Sequence, residues 1–152
     1  MVPEIKEAVV KALRSGDYKQ GRGQLRAGQS DGDGGTCMLF CCLGVIYDIT
    51  HPNEWLEDSE FSGSINYGTT LPDEDIDSFG ENTAELSPGQ LREIGLSATE
   101  QRALVCMNDG NAFPVGSFRQ EGVIQSSIDP KYIAGKEPKS FEEIATYIEE
   151  NL

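Results

Sequence analysis

Positive charge is missing from a long stretch of this sequence: between Ala27 and Leu91 there is no lysine or arginine, against thirteen acidic residues. The 152-residue chain has a formal net charge of −14. Residues 1–26 run the other way, with Lys6, Lys11, Arg14, Lys19, Arg22 and Arg26 set against Glu4, Glu7 and Asp17, a net of +3 that leaves −17 for the remainder. A field of that sign repels phosphate backbones and anionic lipid surfaces, so direct nucleic-acid binding and membrane-surface binding are excluded as expectations. Basic protein surfaces are the partners it attracts.

Long apolar runs are also lacking. The longest, Met38 to Ile46, is far short of the ~20 residues that span a bilayer. Met1-Val2-Pro3-Glu4 leads directly into a charged helical pattern with no leader signature, and the expected setting is the cytoplasm. Metal-site spacing is missing too. Cys37, Cys41, Cys42 and Cys106 contain no C-x-x-C pair, and His51 is the sole histidine, so free reduced thiols with no metal and no cofactor are expected. Asp31-Gly32-Asp33-Gly34-Gly35 resembles the start of a calcium loop. Its fifth position is Gly35 and its twelfth is Cys42, where such a loop needs a ligand and a glutamate. A flexible loop over 27–35 is the expectation.

What is present is helical patterning on the scale of one domain over 1–152. Ile5, Ala8, Val9, Ala12 and Leu13 form an apolar stripe that predicts a helix from Pro3 to Arg14, with Ser15-Gly16 as its stop. Ser87…Gln90, Ser97…Glu100 and Ser140…Glu143 have capping-box form and open three further helices, the last running Phe141 to Asn151. A short helix over 71–80 is predicted by Pro72 and its run of acids. Thr36 to Ile49 is apolar on every side and predicts a central buried helix entered through a short extended piece, with Gly44 permitting close packing. The expected fold is mainly α, with α+β as the alternative: short capped helices around that central helix, and a minor β hairpin from 50–68 or 112–128.

Ala12-Leu13-Arg14-Ser15-Gly16 with Tyr18, Gln20 and Gly21, then Leu25-Arg26, Phe40-Cys41-Cys42-Leu43-Gly44-Val45, Met107-Asn108-Asp109, and Ser140-Phe141 with Ile144-Ala145 form a spaced set along most of the chain. The set resembles a family of small proteins of tailed bacteriophages and prophages. The resemblance implies an accessory protein acting in the bacterial host cytoplasm, and implies no activity. This chain departs from the pattern where residues 110–139 separate the Asn-Asp turn from the final helix as an inserted excursion. The last two helices also resemble a helix-turn-helix, but Glu142, Glu143, Glu149 and Glu150 make the final one a poor DNA reader.

Three functional readings follow. The favoured one is non-catalytic binding of a host protein with a basic surface, by nucleic-acid mimicry or an anti-defence role, because carboxylates can stand where phosphates would lie. A second is binding of an anionic, nucleotide-like small molecule. Tyr18, Lys19, Gln20, Gly21, Arg22 and Arg26 combine glycine-exposed backbone donors with positive charge, and Asn108 and Asp109 add polar groups. A third is a cysteine-dependent hydrolase or transferase using Cys41 or Cys42, with His51 as the base.

Overall fold

A computed structural model of the chain describes residues 1–30, 33, 35–58, 65–68, 85–110 and 137–152. The expected helix over 71–80, the hairpin at 112–128 and nearly all of the 110–139 excursion lie outside the described residues. In chain order the elements are α1 (Pro3–Ser15), β1 (Lys19–Gln20), β2 (Arg26–Ser30), β3 (Thr36–Phe40), α2 (Cys42–Thr50), β4 (Leu56–Asp58), β5 (Ile65–Gly68), α3 (Pro88–Ile94), α4 (Ala98–Asp109) and α5 (Phe141–Asn151).

Local chemistry explains the helix limits. Ser87, Ser97 and Ser140 each accept from the amide three residues on, while Gln90, Glu100 and Glu143 reach back to the cap amide, closing three capping boxes. Gly16, Gly95 and Gly110 take the left-handed conformation that ends α1, α3 and α4. The three serine caps, the Ser15-Gly16 stop and the span of α5 are those expected from the sequence.

The sheet is larger than the expected hairpin. Its order is β1-β3-β2-β5-β4, with β1 parallel to β3 and the remaining pairs antiparallel. The architecture is therefore mixed α+β. Two expectations are corrected here. The stretch expected as a flexible loop over 27–35 begins as strand β2, at the centre of the sheet: Gly28 pairs with Met38 on one side and with Ile65 on the other. Neighbours on both sides override a glycine-rich composition that is poor for strands by itself. The extended entry expected before the helix at 36–49 is a full five-residue strand, and the helix starts only at Cys42. Antiparallel pairing with β2 separates two elements that uniform hydrophobicity could not separate. The β4–β5 pair falls in the 50–68 region named as one home of the minor β element.

Helices cover the strand-and-helix unit formed by β3 and α2. In α2, Cys42, Leu43, Val45 and Ile46 have no exposed surface. α1 contributes Val9, Val10 and Leu13 to the same core, and α5 contributes Phe141, Ile144, Ala145, Tyr147 and Ile148. Each fully buried aliphatic side chain of this kind stabilises the fold by about 1.5–3 kcal/mol. Gly44 has a specific reason. A Cβ there would stand 1.7 Å from the Leu25 carbonyl oxygen, so α2 can lie against the 25–26 backbone only with glycine at that position.

Candidate functional site

The start of α2 is the meeting point of four segments distant in sequence. Asn108, near the end of α4, is wholly buried and uses its full hydrogen-bonding capacity. Its Oδ1 accepts from the Cys42 amide (3.3 Å) and from Gln20 Nε2 (3.2 Å). Its Nδ2 donates to the Gly21 carbonyl (2.8 Å) and to Asp109 Oδ1 (2.8 Å). Gln20 Nε2 also donates to the Lys139 carbonyl at 2.7 Å, and the Gly23 amide donates to Asp109 Oδ1 at 3.2 Å. The Lys139 amide in turn donates to the Met107 carbonyl at 2.7 Å. One buried amide side chain thus ties the β1–β2 connection, the α2 N-terminus and the start of the final segment together.

A cleft of about 50 Å³ lies beside this network, lined by Gly23, Gln24, Cys41, Glu85, Val105, Asn108 and Asp109. That is space for a water or two. Gln24 Oε1 is buried with no protein hydrogen-bond partner among the described residues.

The thiols sit at the same helix start but are interior. Cys41 is the N-cap, its Sγ accepting from the Gly44 amide at 3.4 Å, and Cys42 Sγ donates to the Leu104 carbonyl at 3.5 Å. Burial pushes the Cys41 thiol up to about 12, outweighing the backbone donors that pull it down. Burial raises Cys42 as well, with Cys41 beside it. Both are neutral thiols at physiological pH, and a thiolate is what nucleophilic chemistry requires. His51 is at the opposite end of α2, as its C-cap. At about 1.5 Å of rise per residue the nine-residue helix puts more than ~12 Å between the two ends. The three residues of the cysteine reading are therefore not brought together. Cys37 and Cys106 are half-buried and free, and no group of three potential metal ligands occurs among the described residues.

His51 belongs to a different cluster. Its ring stacks on Tyr47 (centroids 4.7 Å apart, planes 9° apart), its Nδ1 is 2.8 Å from Thr50 Oγ1, and its Nε2 is 3.4 Å from Glu93 Oε2. Next to it, Asp48 accepts from Tyr18 Oη at 2.7 Å and from Trp55 Nε1 at 2.8 Å. The Arg26 guanidinium lies 5.4 Å from the ring centroids of both Phe40 and Trp55, within cation–π range. Tyr18 meets Phe40 edge-on at 5.0 Å. Burial, followed by the bond to Asp48, raises the Tyr18 phenol to about 12.

Of the residues predicted to bind an anion, Tyr18 and Arg26 go to this aromatic cluster, and Gln20, Gly21, Asn108 and Asp109 go to the buried network. Lys19 and Arg22 alone are exposed. The two groups are not united in one concave site. Sequence reasoning missed Phe40, Asp48 and Trp55. The signal for them was faint: Trp55 is the chain's one tryptophan, and Asp48 is a lone acid at the end of an apolar run.

Over residues 1–152 the sequence matches the family described as "Domain of unknown function (DUF8296)". The chain belongs to that family. No curated protein and no solved structure matches it. Among the described residues of this DUF8296 protein, no helix is long and apolar enough to cross a membrane.

Proposed function

We propose that this DUF8296 protein acts by non-catalytic binding of a protein partner that presents a basic surface. The observation that carries the reading is the one-signed stretch from Ala27 to Leu91, thirteen acids with no lysine or arginine. The outward side of α5 carries Glu142, Glu143, Glu149 and Glu150, all exposed, of which Glu142 and Glu149 share Arg14 and Glu143 pairs with Lys139, leaving an excess of negative charge. Charge of that density, on a frame held by buried neutral contacts, steers a cationic partner and selects against anionic ones. The resemblance to tailed-phage accessory proteins supports a host protein as that partner, met in the host cytoplasm. A nucleic-acid-handling protein whose binding site accepts carboxylates in place of phosphates fits this chemistry.

The other two readings have less support. Gln20, Asn108 and Arg26 of the anion-binding reading are engaged within the fold and are not united with exposed Lys19 and Arg22 in one concave site, and the thiols of the cysteine reading are buried, protonated and remote from His51. The test is recovery of bound proteins from expressing cells across a salt series. A basic protein whose retention falls at least tenfold between 0.1 and ~0.5 M salt is the expected result. Retention that ignores salt, or an acidic partner, would sink the proposal.

A further inference from the structure

The acid-rich outer side of α5 holds two cations, and both come from the chain itself. Arg14, in the last turn of α1, reaches across to it. Its Nε donates to Glu142 Oε1 at 3.0 Å, and its Nη2 donates to Glu149 Oε2 at 3.0 Å and to Thr146 Oγ1 at 3.3 Å. The Thr146 hydroxyl commits its one proton to the Glu142 carbonyl at 3.0 Å, which leaves its oxygen to accept from Arg14. Lys139 Nζ donates to Glu143 Oε1 at 3.1 Å. Glu142 and Glu149 are seven residues apart, ~10.5 Å along a helix, and Thr146 stands between them on the same side. A planar guanidinium with several fixed donors bridges that span, which a compact ammonium does not.

This seat faces solvent. The side chains of Arg14, Glu142 and Glu149 keep 33%, 67% and 56% of their accessible surface. Ion pairs so exposed add little to a fold, and water and salt compete for them. The guanidinium is therefore held in a geometry made for its kind, yet loosely. We propose that Glu142, Thr146 and Glu149 form a seat for an arginine of the partner, and that Arg14 occupies this seat in the free protein as an internal competitor. This deepens the binding reading above and rests on it. Tethering gives Arg14 a high effective concentration at the seat, so an isolated arginine on an unrelated protein does not displace it. A partner whose basic surface is also drawn by the acidic remainder of the chain does. The contact thus works as a filter on partners rather than as a brace between α1 and α5.

The test uses the full-length chain and a fluorescein-labelled ten-residue peptide of alternating arginine and glycine, read by fluorescence anisotropy at ~0.1 M salt. R14A and R14Q should each bind the peptide about threefold or more tightly than the parent. R14Q keeps most of the side-chain stem, so the comparison does not hang on the folding of R14A. K11A removes the same charge one helical turn away and should stay within about 1.5-fold of the parent. In an E142Q/E149Q background, R14A should gain no more than K11A does, because no seat is left to vacate. Equal gains in R14A and K11A would overturn the competitor in favour of net charge alone, and so would a gain that survives in E142Q/E149Q. An absence of gain in both Arg14 variants sinks it as well. If the peptide bound none of these chains, the seat would be overturned, and the salt-dependent partner recovery would decide the broader reading separately.

Discussion

The two ends of α2 are held by opposite kinds of chemistry. At the N-terminal end the Cys42 amide is bonded to wholly buried Asn108, Cys41 caps the helix with its own sulfur, and Gly44 lets the Leu25 backbone approach. The groups that hold the helix start itself are neutral, and the one carboxylate of the network, Asp109, lies on the far side of Asn108. At the C-terminal end, Tyr47, His51 and Trp55 stack and cross, Asp48 collects two donors from other segments, and His51 faces Glu93. That end is half-exposed and charged. The contrast teaches where the fold tolerates change. Buried neutral hydrogen bonds have no water to replace a lost partner, whereas groups at the rim can be rescued by solvent.

The sharpest way to break the comparison is at its buried end. Gly44→Ala should cost more than ~3 kcal/mol, because the new methyl meets backbone rather than a side chain that could rotate away. A urea midpoint that hardly moves would mean that the α2–Leu25 approach is looser than described. Asn108→Ala should cost about 2–3 kcal/mol, since it orphans the Cys42 amide and the Gly21 carbonyl together. At the open end Asp48→Ala should cost only about 1 kcal/mol, since Tyr18 and Trp55 are half-buried and water can reach their donors. The fluorescence of the single tryptophan should report that local change. If Asp48→Ala proved the more damaging of the two, the contrast between the ends would be reversed.

Titration sharpens the same comparison. Cys41 is raised from its ordinary value to about 12, so its stabilising contribution is complete below the unfolded-state thiol pKa and is lost as pH climbs from about 9 to about 12. Tyr18, raised to about 12, adds a loss between about 10 and 12. Stability should therefore fall on the alkaline side, and less steeply in Cys41→Ala measured relative to its own neutral-pH value. At neutral pH, iodoacetamide should label Cys41 and Cys42 far more slowly than a free thiol. The smallest expected effect is Arg14→Ala, which removes an exposed fork to Glu142 and Glu149 at 3.0 Å each and should leave the thermal melt almost unmoved.

The helices were legible because their signals are local. A serine followed three residues later by glutamate or glutamine, and a glycine free to adopt positive φ, act within one turn of chain. The sheet was not legible in the same way. β2 reads Arg-Ala-Gly-Gln-Ser, and nothing in that composition announces a strand until β3 and β5 flank it. The candidate residues show the same division. Gln20, Gly21, Arg26, Asn108 and Asp109 stood out individually, yet their division between a polar network around Asn108 and an aromatic cluster depends on contacts between residues as far apart as Gln20 and Lys139.

By itself the sequence determined the charge asymmetry, the serine-capped helix starts and the interior character of Phe40–Ile46, because each follows from composition or from chemistry within a few residues. Tertiary structure alone decided that a glycine-rich stretch is a central strand, that the two thiols and the histidine part company along α2, and that Asn108 joins four segments. The reason is physical. Strand pairing and buried polar satisfaction are energies between distant parts of the chain, and they take a value only when those parts meet.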